Sequence, residues 1–271
     1  MRCEEIISRL EEEYPLGCAE EWDNPGLLVG RRNKEVRRIF VALDATEDTI
    51  RQALEYHADL MITHHPLIFR SIKQINEDTF IGRRILTLIE NEISLYAMHT
   101  NFDVLGMAAL NEKQLRLENC RVLEVTMDTD GIEEGLGRIG DLPEPMTLAG
   151  CAAYVRKRLD VPEVRCYGLD DEQESLKNPD DVPLVSRVAV CGGSGKSVVS
   201  SAIEEGAEVL VTGDIDYHTA IDALAQGLYI IDAGHYGTEY VFIEYMKKKL
   251  KKLFPECECK GARIVQPFTS V

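Results

Sequence analysis

The sequence predicts an α/β protein made of two βαβαβ halves with mostly parallel sheets, and three observations carry that expectation. Two segments share one plan. Their apolar runs are continuous, as in strands buried on both faces of a parallel sheet. Each copy ends in the same His-x-x-x-acid element, His99-Thr-Asn-Phe-Asp103 and His235-Tyr-Gly-Thr-Glu239.

In the first copy, Arg38-Ile-Phe-Val-Ala-Leu43 reads as a strand, Glu47 to His57 as a helix, and Leu60-Met-Ile-Thr63 as a second strand. In the second copy, Arg187-Val-Ala-Val190, Lys196 to Glu205 and Val209-Leu-Val-Thr212 take the same places. The likeness runs into the loops, where Ala58-Asp-Leu-Met-Ile-Thr63 parallels Ala207-Glu-Val-Leu-Val-Thr212. Each copy then continues through a further helix to a third apolar run, Ile93 to Met98 or Leu228 to Ala233. Superposition is expected to bring His99 onto His235 and Asp103 onto Glu239. The chain accordingly divides into a first α/β half (1–125) with His64, His65 and Asp103, a connecting segment (126–186), and a second half (187–271) with His235 and Glu239.

Within the connecting segment, Gly131, Gly135, Gly137 and Gly140, followed by Asp141-Leu-Pro-Glu-Pro145, predict a turn-rich stretch. Thr147 is expected to cap a helix reaching Arg158, and the acidic, proline-containing Asp170 to Asp181 to be a solvent loop. At the N-terminus, Met1 to Tyr14 sets Ile6, Ile7 and Leu10 on one face of a charged segment, an amphipathic helix and not a signal peptide.

Composition narrows the function classes. The formal charge of −17 disfavours broad binding to nucleic acid or anionic membranes, which requires basic surface. No run approaches the ~20 apolar residues of a membrane span. The eight cysteines are scattered without a Cys-x-x-Cys pair, so they are read as reduced thiols of a cytoplasmic protein. Cys257-Glu-Cys259 is a weak signal for a soft metal, and the lysines at 247–249, 251 and 252 form a solvated face on the final helix.

Chemistry concentrates where strands stop. The run ending at Thr63 leads into His64-His65-Pro66, so four of the six histidines and two carboxylates follow apolar runs. Ligands and metals collect at the carboxyl ends of strands in open α/β sheets. Alone, a His-His pair is more often structural, and a His-x-x-x-acid element can be a local hydrogen bond at a helix start. Their joint occurrence at three strand ends points to a metal centre with more than one ion. Imidazole and carboxylate suit zinc, iron, manganese, cobalt or nickel, and a carboxylate can bridge cations ~3.5–4 Å apart. His57 is read as structural, and His218 as either a residue behind the ligands or a core or rim histidine. The turn Cys191-Gly-Gly-Ser-Gly-Lys-Ser197 is not a Walker A loop, because Val190 stands where the first glycine belongs. It is either an anion-holding turn or simply a tight one.

Six segments together resemble the Nif-three-like family, whose members are also called GTP cyclohydrolase 1 type 2 homologs. They are Glu21-Trp-Asp-Asn-Pro-Gly-Leu-Leu-Val-Gly30, Ile62-Thr-His-His-Pro66, His99-Thr-Asn-Phe-Asp103, Gly135-Leu-Gly-Arg-Ile-Gly140, Cys191-Gly-Gly-Ser-Gly195 and Asp232-Ala-Gly-His-Tyr-Gly-Thr-Glu239. The resemblance implies the Nif-three-like fold and a dinuclear site of two divalent transition-metal ions held by His64, His65, Asp103, His235 and Glu239. It leaves His99 outside the ligand set, as a proton shuttle or a residue behind the ligands. It also implies a toroidal homohexamer. Gly237 replaces the family's usual alanine without touching a ligand, and the extra domain of some members is absent between the halves.

The resulting expectation is a metal-dependent hydrolase acting on a nucleotide-like or phosphate-containing small molecule, GTP cyclohydrolase-type chemistry being one specific form. The alternative is a non-enzymatic metal-binding regulatory or interaction protein.

Overall fold

Strands β1 (Gly26–Val29), β2 (Arg38–Ala42), β3 (Leu60–Thr63) and β4 (Ser94–Ala97) make the first copy and its edge. The structure, a computed structural model, describes residues 1–169, 182–266 and 268; the acidic Asp170–Asp181 segment lies outside them. β2, β3 and β4 pair in parallel, β1 joins β4 antiparallel, and the last strand, Glu258–Gly261, joins β2 in parallel. Every residue of β3 and β4 is buried, which accounts for their largely apolar character. The helices Glu47–Glu55 and Phe80–Glu90 are capped by Thr46 and Thr79, each accepting the backbone N–H three residues on. Ile50, Ala53, Ile85 and Leu88 from these helices share one core with Phe40, Met61 and Leu95. The alternate strand residues Ile39, Ile62 and Tyr96 are buried as well. Tyr96 donates to Glu11 of the N-terminal helix Cys3–Glu13, whose Ile6, Ile7 and Leu10 are fully buried as the amphipathic pattern predicts.

The second copy uses β8 (Leu184–Ser194), β9 (Val209–Gly213) and β10 (Tyr229–Asp232), again parallel and adjacent. A short strand β7 (Arg165–Tyr167) pairs antiparallel with β10, as β1 does with β4. β5 (Glu118–Thr129) and β6 (Ile132–Thr147) extend the other side antiparallel, so this sheet is mixed. The predicted turn-rich connection is thus a long hairpin. Its glycines serve close strand approach: a Cβ on Gly135 would sit 1.9 Å from the Glu124 carbonyl oxygen. Thr147 does cap the helix Leu148–Arg158.

The duplication extends to individual hydrogen bonds. Ala58 N donates to Ala53 O and Ala207 N to Ala202 O; Asp59 N donates to Arg38 O and Glu208 N to Arg187 O. The Asp59 carboxylate accepts from the backbone of Arg37 and Arg38, and the Glu208 carboxylate from Ser186 and Arg187. The third strands are matched by Met98 N to Thr63 O and Ala233 N to Thr212 O. This last pair corrects one expectation. His99 lies one residue past its anchor and His235 two past, so the His-x-x-x-acid elements are one residue out of step.

Contacts divide the chain into two compact units, Met1–Phe102 with Tyr240–Val271, and Asp103–Glu239. This differs from the division at 125 and 187. The C-terminal helix Val241–Leu253 and the last strand belong with β2, where Glu258–Gly261 completes the parallel ladder, and residues 126–147 are a strand hairpin rather than a connection. Asp103 and Glu239 are the first and last residues of the second unit. Among the described residues, no helix is long and apolar enough to cross a membrane.

Asp59→Ala and Glu208→Ala each remove a charged acceptor from two backbone N–H groups. Each is expected to cost roughly 1–3 kcal/mol, measured as a lower denaturant midpoint, and the two losses should add because the clamps lie in separate units.

Candidate metal centre

In the first unit, the end of β3 is shaped by one carbonyl. Both His64 N and His65 N donate to Leu43 O, at 3.2 and 3.0 Å. Strand alternation stops there, and the two rings lie with centroids 4.8 Å apart. His99, just past β4, stands 5.3 Å from His64 and 5.5 Å from His65, ring to ring. One ligating nitrogen from each of the three can be chosen so that all lie within 4.8 Å of one another.

The other nitrogen of each ring is held. His64 Nδ1 meets Met98 O at 2.8 Å, His65 Nδ1 meets Asp44 Oδ1 at 2.8 Å, and His99 Nδ1 meets Asp23 Oδ1 at 2.7 Å. Carbonyl and carboxylate oxygens only accept, so Nδ1 carries the proton and the lone pair sits on Nε2. Asp23 is itself firmly placed. Burial of its carboxyl favours the neutral acid, but hydrogen bonds from His99 and from the Thr100 N–H and hydroxyl outweigh it and hold the group well below the usual carboxylate range.

In the second unit, His235 opens the helix His235–Glu239, and the i,i+4 spacing brings Glu239 Oε2 to 3.1 Å from His235 Nε2. Asp214 Oδ2 meets His235 Nδ1 at 2.9 Å. Burial of the His235 ring opposes protonation, but Glu239 and Asp214 prevail and push it up to about 9. A proton thus occupies the pair where a cation would be at home. Asp103 begins a π-helical turn, Asp103–Met107, a local widening that is frequent at functional positions. Cys191, at the end of β8, is near both acids. Burial first, then the Asp103 and Glu239 carboxylates, push its thiol far above the ordinary range, so it stays protonated and inert.

The glycine turn serves this cluster. Gly193 has φ +64°, and a Cβ there would meet Glu239 Oε1 at 2.3 Å. Its N–H donates to Thr238 Oγ1, and Lys196 is paired with Asp216. A turn lined by a carboxylate, with its amide and lysine engaged, is a close-packing device and not an anion cradle.

His64, His65 and His99 are therefore brought together in one unit; in the other, Asp103 and Glu239 lie near Cys191, and His235 is paired with Glu239. His218 is exposed on the helix Tyr217–Ala225, edge-on to Tyr217, and His57 is exposed in a left-handed turn. Cys257 and Cys259 are buried, their thiols raised by desolvation and donating to backbone carbonyls. The orienting carboxylates Asp44 and Asp214 were missed in the sequence, although each follows a strand end closely enough to have been a signal.

Histidines whose Nδ1 protons are fixed by oxygen acceptors, set beside carboxylates at strand ends, define an α/β protein of duplicated plan with side-chain groups that could hold a metal. A sequence profile of the Duf34/NIF3 family (NGG1p interacting factor 3) matches residues 1–266. The chain belongs to this family. It is 35% identical over 254 residues to a GTP cyclohydrolase 1 type 2 homolog of Clostridium perfringens, covering 93% of this chain and 92% of that protein. A Streptococcus pneumoniae protein of the same name is 37% identical over 247 residues, covering 90% and 88%. The crystal structure of a Bacillus cereus protein related to NIF3 superposes with a TM-score of 0.89 at 28% identity, covering 100% of this chain and 99% of that one.

In metal-free protein, the ring protons of His235 are expected to titrate near 9 by NMR, against the ordinary 6.5. Because the folded value is raised, its contribution to stability is full below pH ~6.5 and is lost as pH rises through about 9. Gly193→Ala should displace Glu239 and weaken binding of Zn²⁺ in a calorimetric titration. Gly206→Ala, also at positive φ but with open space around it, should lose stability alone.

Proposed function

We propose that this protein binds two divalent transition-metal ions through His64, His65, Asp103, His235 and Glu239, and that it hydrolyses a nucleotide-like or phosphate-containing small molecule. The observation that carries the reading is the orientation of the histidines: His64, His65 and His235 each commit Nδ1 to an oxygen acceptor, which makes Nε2 the nitrogen that would meet a cation. Structural histidines do not require that uniformity; ligating ones do. Imidazole and carboxylate donors without thiolate suit zinc, iron, manganese, cobalt or nickel. Paired ions of this kind, when bound, supply Lewis acidity and lower the pKa of water.

His99 is assigned the proton-handling role. Asp23 orients its ring and would stabilise the imidazolium formed when Nε2 takes a proton from the reacting group. A ring nitrogen of His99 lies within reach of the His64–His65 pair, so the experiment must separate a base from a ligand. Family membership supports a toroidal homohexamer, which sedimentation of the full chain will test. The free state of all eight cysteines supports a reducing, cytoplasmic location.

Elemental analysis of protein purified without chelator should find close to two equivalents of transition metal per chain. Asp103→Ala should lose more than one equivalent if its carboxylate bridges the ions, and only one if it is a terminal ligand. His99→Gln should retain both ions and slow hydrolysis of nucleotides or phosphodiesters by roughly 10²–10⁴-fold. Loss of metal in that variant would make His99 a ligand. Full metal with no turnover in the unaltered protein would identify a binding or regulatory protein instead of a hydrolase.

A further inference from the structure

Two large aromatic side chains in the first unit stand in solvent beside the histidine cluster. Trp22 is 59% exposed and Phe69 48% exposed. Their ring centroids are 5.7 Å apart, and each meets His99 edge-on, at 6.0 and 6.2 Å. Exposure of this size leaves a large part of an aromatic surface unburied, and neither loop is loose. Trp22 precedes Asp23, whose carboxylate is fully buried against His99 and Thr100. Asn24 Nδ2 donates to Ile68 O at 2.6 Å, tying the tryptophan loop to the residue before Phe69. The backbone under the platform is tied by hydrogen bonds while both rings stay about half exposed.

We infer that Trp22 and Phe69 form a stacking subsite for a planar heteroaromatic ring of purine size, delivered beside His99. A ring lying on the indole face would meet Phe69 at its edge, the offset and tilted arrangement that aromatic groups prefer. Stacking recognises the π-face without reading the hydrogen-bond pattern of a base. The subsite therefore selects planar heterocycles as a class, with the choice among them left to other contacts. This inference rests on the hydrolase reading for its meaning, since it places the reacting part of a nucleotide-like substrate near the proposed proton carrier. It does not rest on that reading for its test.

Trp22 is the single tryptophan of the chain, so its fluorescence reports the subsite directly. In metal-loaded full-length protein, guanosine should quench the emission saturably, while ribose 5-phosphate should not. Binding of the fluorescent probe 2-aminopurine riboside should weaken roughly 5- to 150-fold in Trp22→Ala, the range of a base–aromatic stack. Phe69→Ala should weaken it less, and both variants should keep the metal content of the unaltered protein. If guanosine quenches but no substrate is hydrolysed, the subsite stands and the hydrolase reading fails. If ribose 5-phosphate or another non-aromatic phosphate is bound or hydrolysed while neither purine probe is held, the subsite is overturned and the hydrolase reading survives. Emission already shielded from acrylamide in ligand-free protein would also overturn it, because the rings would then be covered by a second copy of the chain.

Discussion

An imidazole can serve a cation or a proton only if its two nitrogens are kept in different states, one fixed as a donor and the other as a base. Four histidines here fix Nδ1 as the donor, with Met98 O, Asp44, Asp23 and Asp214 as the acceptors. Much of the local architecture follows from it. Asp44 lies just past β2 and Asp214 just past β9, positions that a parallel ladder sets beside the strand ends bearing His65 and His235. The carbonyl of Leu43 draws in both His64 and His65, which turns a two-sided strand into a one-sided pair of imidazoles.

The two copies show how duplication yields unlike parts. Their ladders agree down to the Asp59 and Glu208 clamps, because the clamp satisfies backbone donors at the strand start and carries no chemistry. Beyond the third strand the copies diverge by a single residue. His235 begins a helix, and its i,i+4 neighbour Glu239 lies against it. His99 precedes its helix and turns instead to Asp23, in the loop leading to the antiparallel edge strand. A one-residue slip on a helix turns a side chain by ~100°. That is enough to give one copy a histidine–carboxylate pair and the other a histidine–histidine cluster with an acid behind it.

Glycine placement follows the same logic of access. Gly193 admits the Glu239 carboxylate where any side chain would collide with it. The stretch from Cys191 to Ser197 imitates a nucleotide-binding loop in composition, yet its geometry serves an acidic cluster. The exposed Trp22 and Phe69 stand apart from this economy, since they spend apolar surface on solvent beside the histidines instead of in the core.

Read alone, the sequence determined the α/β class, the duplicated plan, the strand cores and the residues at the strand ends. Those features depend on local periodicity and on residue type, which the chain displays directly. The boundaries of β3 match their sequence reading because every residue of that strand is apolar or buried. The tertiary structure decided the rest. It turned a glycine-rich segment into the β5–β6 hairpin, returned the C-terminal helix and strand to the first unit, and set the two histidine elements one residue out of step. It also chose Asp23, Asp44 and Asp214 to orient the rings. Asp23 lies 76 residues from the histidine it holds, and Asp44 and Asp214 each lie 21 from theirs. No periodicity encodes such a partnership; it exists only once strand pairing has brought separate strand ends to one edge of a sheet.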